Sequence, residues 1–298
     1  MWQQMLKELR TGDVKALARC ISFVENEQSG YKDLLQSLSF NLTSKIIGVT
    51  GPPGAGKSTL CDALIGELVQ KEKRVAVLCV DPSSPFNLGA LLGDRIRMNQ
   101  WYTHPQVYIR SLATRGSMGG LHPKIVEISE LLKEADFDFI LIETVGVGQS
   151  EIEIIGLADT TVVVLVPEAG DEVQTMKAGL MEIAEIFVVN KADRPDADLF
   201  VKNLRLMLAP AFKNGASEIP IIKTVATTQE GVAELAAAIE KDLSTTINEK
   251  KLWLLAEKAY HIIQQKRMAD VSKKDLLKMI QEQITNDKFN LYQFVERL

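Results

Sequence analysis

The sequence predicts an α/β protein, with a mostly parallel sheet flanked by helices, helices at its N-terminus and a helical arm at its C-terminus. Three observations predict it. Residues Gly51-Pro52-Pro53-Gly54-Ala55-Gly56-Lys57-Ser58 spell a complete G-x-x-x-x-G-K-S loop between an apolar β-rich run and a helical one. Apolar runs then alternate with helical spacing as far as residue 241. That rhythm means right-handed crossovers, a parallel sheet and ligands at the carboxyl ends of the strands. From about residue 244 the strand signal stops and amphipathic helical spacing takes over.

The elements follow in order. Residues 1 to about 40 have helical spacing, interrupted at Thr11-Gly12-Asp13, where Thr11 or Asp13 can cap a second helix running to about Glu27. Strands are expected at 45–50, 74–80, 106–110, 138–143, 160–166, 185–189 and 219–223. Several are continuous apolar runs, such as Val75-Ala76-Val77-Leu78-Cys79-Val80, as parallel strands covered on both faces require. Helices fill the intervals at 59–71, where Leu60, Leu64 and Leu68 share a face, and at 121–135, 150–157, 172–182, 196–209 and 230–241. Beyond them lie 248–267, 272–284 and 288–297. The expected division is an N-terminal helical extension over 1–40, an α/β domain over 41–245 and a C-terminal helical arm over 246–298.

A chain of 298 residues can bury a large core, and its 46% hydrophobic and 24% charged residues are ordinary for a soluble protein. A net charge of −5 without a long Lys/Arg run argues against nucleic acid as the partner. No apolar stretch reaches the ~18 residues of a membrane span, so no membrane partner is expected. The N-terminus has the character of neither a signal nor a transit peptide. Cys20, Cys61 and Cys79 are isolated and odd in number, which suits buried thiols in a reducing compartment. The expected location is the cytoplasm.

The glycine loop carries the first chemistry. Its glycines let successive backbone N–H groups curl round a phosphate chain, and the helix N-terminus adds partial positive charge. Lys57 can reach the β- and γ-phosphates, and the Ser58 hydroxyl can hold Mg²⁺. Asn190-Lys191-Ala192-Asp193 carries the second, at the end of an apolar strand. The Asp193 carboxylate can accept hydrogen bonds from the guanine imino N–H and 2-amino group, whereas adenine would set an acceptor against it. GTP and GDP are therefore expected over ATP.

Acidic residues at strand ends are the candidates for metal. Asp81 ends the run 75–80 and Glu143 ends Phe139-Ile140-Leu141-Ile142. A carboxylate there either holds Mg²⁺, directly or through a water, or caps the next helix. Gly146, in Thr144-Val145-Gly146-Val147-Gly148-Gln149, can donate its backbone N–H to the γ-phosphate. Asp94 is either a metal ligand in one nucleotide state or the N-cap of a helix over Arg95–Trp101. Asp171-Glu172-Val173-Gln174-Thr175-Met176-Lys177 reads as a solvated helix start or, at the carboxyl end of strand 160–166, as a switch.

Together these residues resemble the methylmalonyl-CoA mutase-associated GTPases. The likeness rests on 51–59 with Thr59, Val80-Asp81-Pro82-Ser83-Ser84, Leu92-Gly93-Asp94-Arg95, Glu143 to Glu151, Gly170 to Gln174 and Asn190 to Asp193, and it spans about 40–245. It implies a P-loop GTPase that serves as a G-protein chaperone, gating adenosylcobalamin delivery to an acyl-CoA mutase and protecting and reactivating that enzyme. It also implies that Asp81 and Asp94 fall in switch I, Glu143 to Glu151 in switch II, and Asp171, Glu172, Gln174 and Lys177 in switch III. The C-terminal helices would be the arm of a homodimer. The guanine-supporting loop would be Thr224-Val225-Ala226-Thr227, which departs from the usual Ser-Ala by Val225, and Pro85 to Gly89 departs from the usual Thr/Gly-rich stretch.

Two other classes share the P-loop. A metallochaperone-type GTPase needs His/Cys clusters, and the three histidines, His104, His122 and His261, stand apart from one another and from the cysteines. A P-loop kinase for a small basic substrate would not call for Asn190 to Asp193.

Overall fold

A computed structural model describes residues 1–39, 41, 43–81, 98–114, 121–144, 154–168, 184–208, 219–243, 249–268, 270–285 and 289–298. The chain divides into two compact units, Met1–Asn248 and Glu249–Leu298.

Among the described residues of the first unit are seven strands: β1 (Lys45–Thr50), β2 (Val75–Asp81), β3 (Val107–Ala113), β4 (Phe139–Glu143), β5 (Thr160–Leu165), β6 (Ile186–Asn190) and β7 (Ile221–Thr224). They form one sheet in the order β3-β2-β4-β1-β5-β6-β7, and every pairing is parallel. The central strand β1 pairs with β4 on one side and β5 on the other. From β1 the chain goes out through β2 to β3, returns with β4 between β2 and β1, and then runs outward on the other side. The direction switches beside β1, so a ligand crevice is expected at its carboxyl end. β3 runs to Ala113, past its expected end, because Ser111 and Leu112 pair with Cys79 and Val80.

Both faces are covered, which is why the strands read as unbroken apolar runs. On one face α1 (Trp2–Arg10), α2 (Val14–Glu25) and α5 (Ile125–Glu134) bury Leu6, Leu17, Ile21 and Leu131 in one cluster with Ile46, Leu78 and Ile140. On the other, α4 (Lys57–Gln70) and α7 (Val232–Leu243) enclose Ile47, Val77 and Leu141. α6 (Ala197–Leu208) lies back on the first face, over Val163, Leu165 and Phe187, which alternate along β5 and β6 with the second face's Val162, Val164 and Ile186. Of the two candidate caps, Asp13 starts α2, its Oδ1 accepting from Lys15 N at 2.7 Å and Ala16 N at 3.2 Å. α2 stops at Glu25, short of Glu27, whose φ of 47° leaves the helix, and α3 (Tyr31–Gln36) follows.

Two expected helices are described only in part. The described part of 150–157 is a 3₁₀ turn, Ile154–Gly156, with Leu157 N and Ala158 N both donating to Ile154 O. On its C-terminal side β5 starts at Thr160 and Asp159 Oδ2 accepts from Ile46 N at 2.8 Å, while 150–153 lie outside the described residues. Of the alternative helix over Arg95–Trp101, the described end is a 3₁₀ turn, Asn99–Trp101, pinned to α4 by Trp101 Nε1 donating to Asp62 Oδ1 at 2.7 Å. The expected helix 172–182 lies outside the described residues.

The second unit consists of α8 (Glu249–Arg267), α9 (Lys273–Thr285) and the short α10 (Leu291–Val295), whose first turn Asn290 caps through Tyr292 N and Gln293 N. Large apolar side chains stay exposed on it, among them Leu252, Trp253, Tyr260, Ile263 and Leu277. Among the described residues no helix is long and apolar enough to cross a membrane.

Candidate functional site

Between β1 and α4 the loop turns through three left-handed glycines. Gly51 has φ +137° and Gly56 φ +88°. A Cβ at Gly51 would meet Val164 O at 2.1 Å, and one at Gly56 would meet Asn190 Nδ2 at 2.5 Å. The loop is therefore wedged between β5 and the end of β6, and only glycine fits at those two positions. Lys57 opens α4, buried, with Nζ donating to Gly51 O at 2.8 Å and Pro52 O at 3.1 Å. Its ammonium is held over the loop. The expected helix start at 59 moves back two residues, so Lys57 and Ser58 are themselves in the first turn.

Ser58 Oγ donates to Glu143 Oε1 at 2.6 Å, and both residues are buried. A hydroxyl and a carboxylate brought together at a helix start offer hard oxygen donors of the kind Mg²⁺ takes. Of the two acidic strand ends, Glu143 is the one seen beside the loop. Asp81 closes β2 opposite Ala113, two residues beyond the Cys79–Glu143 register, and its side chain lies outside the described residues. Asp94, Gly146, Asp171, Glu172, Gln174 and Lys177 lie outside them too.

The second motif closes over the first. Asn190, 2% exposed, donates from Nδ2 to Ala55 O at 2.9 Å, while its Oδ1 accepts from Thr224 Oγ1 at 3.1 Å and Ala226 N at 3.2 Å. Lys191, at φ +57°, donates from Nζ to Gly54 O at 2.8 Å. Ala192 N donates to Thr224 O at 3.0 Å. Three segments distant in sequence, 54–56, 190–193 and 224–227, thus form one wall, and Asp193 stands exposed at its tip. The bonds of this wall do not pass through the side chain of Val225, which stands at the usual Ser position. The tie to Asn190 runs through Thr224 Oγ1 and Ala226 N, Val225 is buried, and Thr227 is exposed.

Two contacts go beyond the motifs. Arg194, one residue past Asp193, pairs with Glu168 just after β5. The guanidinium holds the Glu168 carboxyl below the usual carboxylate range, although both side chains are about half exposed. Thr144 Oγ1 donates to Thr50 Oγ1 at 2.9 Å beneath the loop. The available signal was positional: a polar β-branched residue at the end of an apolar run, on either side of the P-loop crevice.

A G-x-x-x-x-G-K-S loop at the central strand of a parallel sheet, walled by N-K-x-D at a neighbouring strand end, defines a P-loop GTPase. The chain belongs to the family described as "Methylmalonyl Co-A mutase-associated GTPase MeaB", which it matches over residues 17–287. It binds guanine nucleotide and hydrolyses GTP. A protein of Pyrococcus horikoshii that is named a GTPase is 49% identical over 243 residues, covering 80% of this chain and 76% of that one. The fused isobutyryl-CoA mutase of Geobacillus kaustophilus is 35% identical over 261 residues, covering 82% of this chain and 24% of that one. A crystal structure described as that of an LAO/AO transport system kinase shares the fold, with a TM-score of 0.70 at 23% identity over 99% of this chain and 95% of that one.

Proposed function

We propose that this GTPase is the switch and chaperone of an adenosylcobalamin-dependent acyl-CoA mutase, of the methylmalonyl-CoA or isobutyryl-CoA type, gating cofactor delivery and protecting and reactivating the enzyme. The observation that carries the partner is the fused mutase of Geobacillus kaustophilus, in which a GTPase sequence like this one occupies about a quarter of a polypeptide named for mutase activity. Two activities joined in one chain are held at millimolar effective concentration. Separate chains doing the same work need an interface of their own.

Within the site, 51–59 would cradle the phosphates, with Lys57 neutralising charge on the β- and γ-phosphates as bonds to the γ-phosphorus change. Ser58 and Glu143, with Asp81 and Asp94, would hold Mg²⁺, which would offset the negative charge of the phosphates. Gly146 would touch the γ-phosphate, and Asp171, Glu172, Gln174 and Lys177 would answer to the partner. Asn190, Lys191, Asp193 and the loop Val225, Ala226, Thr227 would receive the guanine. The wall that Asn190 builds supports this assignment, since it holds the base loop against the phosphate loop.

The exposed apolar side chains of α8 and α9 support a homodimer formed through residues 249–298. The three buried thiols suit the cytoplasm. The decisive experiment measures GTP turnover with and without a purified acyl-CoA mutase, using Lys57→Ala as the blank. Turnover should rise several-fold with the partner and vanish in the variant. Turnover that a range of acyl-CoA mutases leaves unchanged would reject the partnership.

A further inference from the structure

Two threonines stand where the strands of the site run out. Thr50 is the last residue of β1 and leads into Gly51, and Thr144 follows Glu143 at the end of β4. Parallel pairing sets Val49 against Glu143, and Thr144 N donates to Val49 O at 3.0 Å, carrying the ladder one rung beyond the strand. That rung brings the side chains together, with Thr144 Oγ1 donating to Thr50 Oγ1 at 2.9 Å. Thr50 is 0% exposed and Thr144 1%. One residue earlier on β4, Glu143 meets Ser58. The crossing from the P-loop to β4 is therefore tied twice, once at each end of the loop.

A hydroxyl pair at such a place is not what packing asks for. Each Oγ has been taken out of water, and the mutual bond only offsets that loss. Two valines would fill nearly the same shape with no polar atom to desolvate. Directionality is what the hydroxyls add, because a hydrogen bond fixes the approach of two strand exits to a few tenths of an ångström while two methyls can slide.

We infer that Thr50 and Thr144 are positioning residues for hydrolysis. Their bond sets the point at which the chain beyond Glu143 leaves the sheet relative to the P-loop. GTP and GDP differ only in the γ-phosphate, which within the loop only Lys57 is placed to reach; the loop's other contacts are common to both. The pair therefore tunes turnover and the response to the γ-phosphate, and it leaves GDP binding alone. Misplacement of a catalytic segment by about an ångström is enough to slow a reaction severely. The inference rests on the P-loop reading above.

The test uses the full chain as Thr50→Val, Thr144→Val, the double valine variant, and Thr50→Ser and Thr144→Ser. GDP and a non-hydrolysable GTP analogue serve as ligands, with single-turnover hydrolysis and thermal melting as readouts. Each single valine should melt lower, since it leaves the other hydroxyl unsatisfied, and the double variant should recover toward wild type because both polar groups are gone. Hydrolysis should not recover. It should stay about tenfold slow in all three valine variants, with GDP affinity within about twofold of wild type and the GTP-analogue preference reduced. The serine variants, which keep the hydroxyl, should restore turnover. A double valine variant hydrolysing at the wild-type rate would overturn the inference, as would a loss of turnover matched by an equal loss of GDP affinity. Lys57→Ala is run in parallel: turnover surviving that change would instead reject the P-loop reading underneath.

Discussion

Replacing Asn190 with alanine breaks the wall at its centre. The change removes three hydrogen bonds, to Ala55 O at 2.9 Å, from Thr224 Oγ1 at 3.1 Å and from Ala226 N at 3.2 Å, at a site 2% exposed where water has poor access to replace them. At about 1 kcal/mol each, the loss is about 3 kcal/mol. For a domain of this size that corresponds to a fall in Tm of roughly 6–12 °C. The functional consequence is separable from the fall in stability. In the native chain the phosphate loop and the base loop are aligned before nucleotide arrives, whereas in the variant the nucleotide must align them. Affinity should then drop by up to the same amount, on the order of 100-fold.

GTP and GDP should lose alike, because the tie lies on the side of the ligand they share. Titration with fluorescent GDP and a GTP analogue, alongside melting, measures both effects. Asn190→Asp gives a sharper contrast. It keeps the Oδ1 acceptor for Thr224 and Ala226 but sets a buried carboxylate oxygen against the Ala55 carbonyl, so it should bind worse than alanine. A lower Tm with unchanged GDP affinity would reduce Asn190 to support of the fold, and a loss confined to GTP would place its influence at the γ-phosphate.

Asp193→Asn should weaken GTP and GDP binding and favour xanthine nucleotides, whose 2-oxo group accepts from the new amide; unchanged GTP affinity, with ATP competing equally against GTP in the wild type, would reject Asp193 as the guanine reader. Removing 249–298 should turn a dimer into a monomer while nucleotide affinity holds, and sedimentation of the full chain as a monomer at micromolar concentration would reject the arm as a dimer contact.

Parallel strands covered on both faces write themselves as continuous apolar runs, so the seven strands were legible one by one. β3 shows the limit. Its edge position leaves Ile109, Arg110 and Ser111 half-buried, which interrupts the apolar run, and only the pairing with β2 reveals that the strand continues. The C-terminal end of the 3₁₀ turn at Ile154–Gly156 was hidden for a similar reason: β5 and Asp159 set it, not its own periodicity. In the site the motifs named the residues but not their partners. Asn190 belongs to a motif read for its contact with guanine, and its side chain is spent on joining loops. Thr144 falls inside the Glu143 to Glu151 stretch and Thr50 ends the strand before the loop, but nothing in the spacing says that they meet, because that depends on the register of β1 against β4. Val225 departs from the usual Ser while the tie to Asn190 runs through Thr224 Oγ1 and Ala226 N.

The proposed partnership carries a thermodynamic constraint that turnover alone cannot test. If the GTP form of this chain binds the mutase more tightly than the GDP form by some factor, the mutase must raise the chain's preference for GTP over GDP by that same factor. The two numbers come from independent measurements: mutase affinity with each nucleotide bound, and nucleotide affinities with and without saturating mutase. Non-hydrolysable analogues keep both at equilibrium. The coupling expected of such a switch is 5–150-fold, about 1–3 kcal/mol. Stimulated hydrolysis with no such coupling would mean that the partner acts only on the transition state, for example by supplying a cation to the γ-phosphate, and does not distinguish the two ground states. Equal, non-unit factors in the wild type that collapse toward one in the Thr50→Val/Thr144→Val variant would tie the partner's reading of the nucleotide to the strand exits. Equal factors that survive that change would put the coupling elsewhere in the chain and leave the hydroxyl pair to hydrolysis alone.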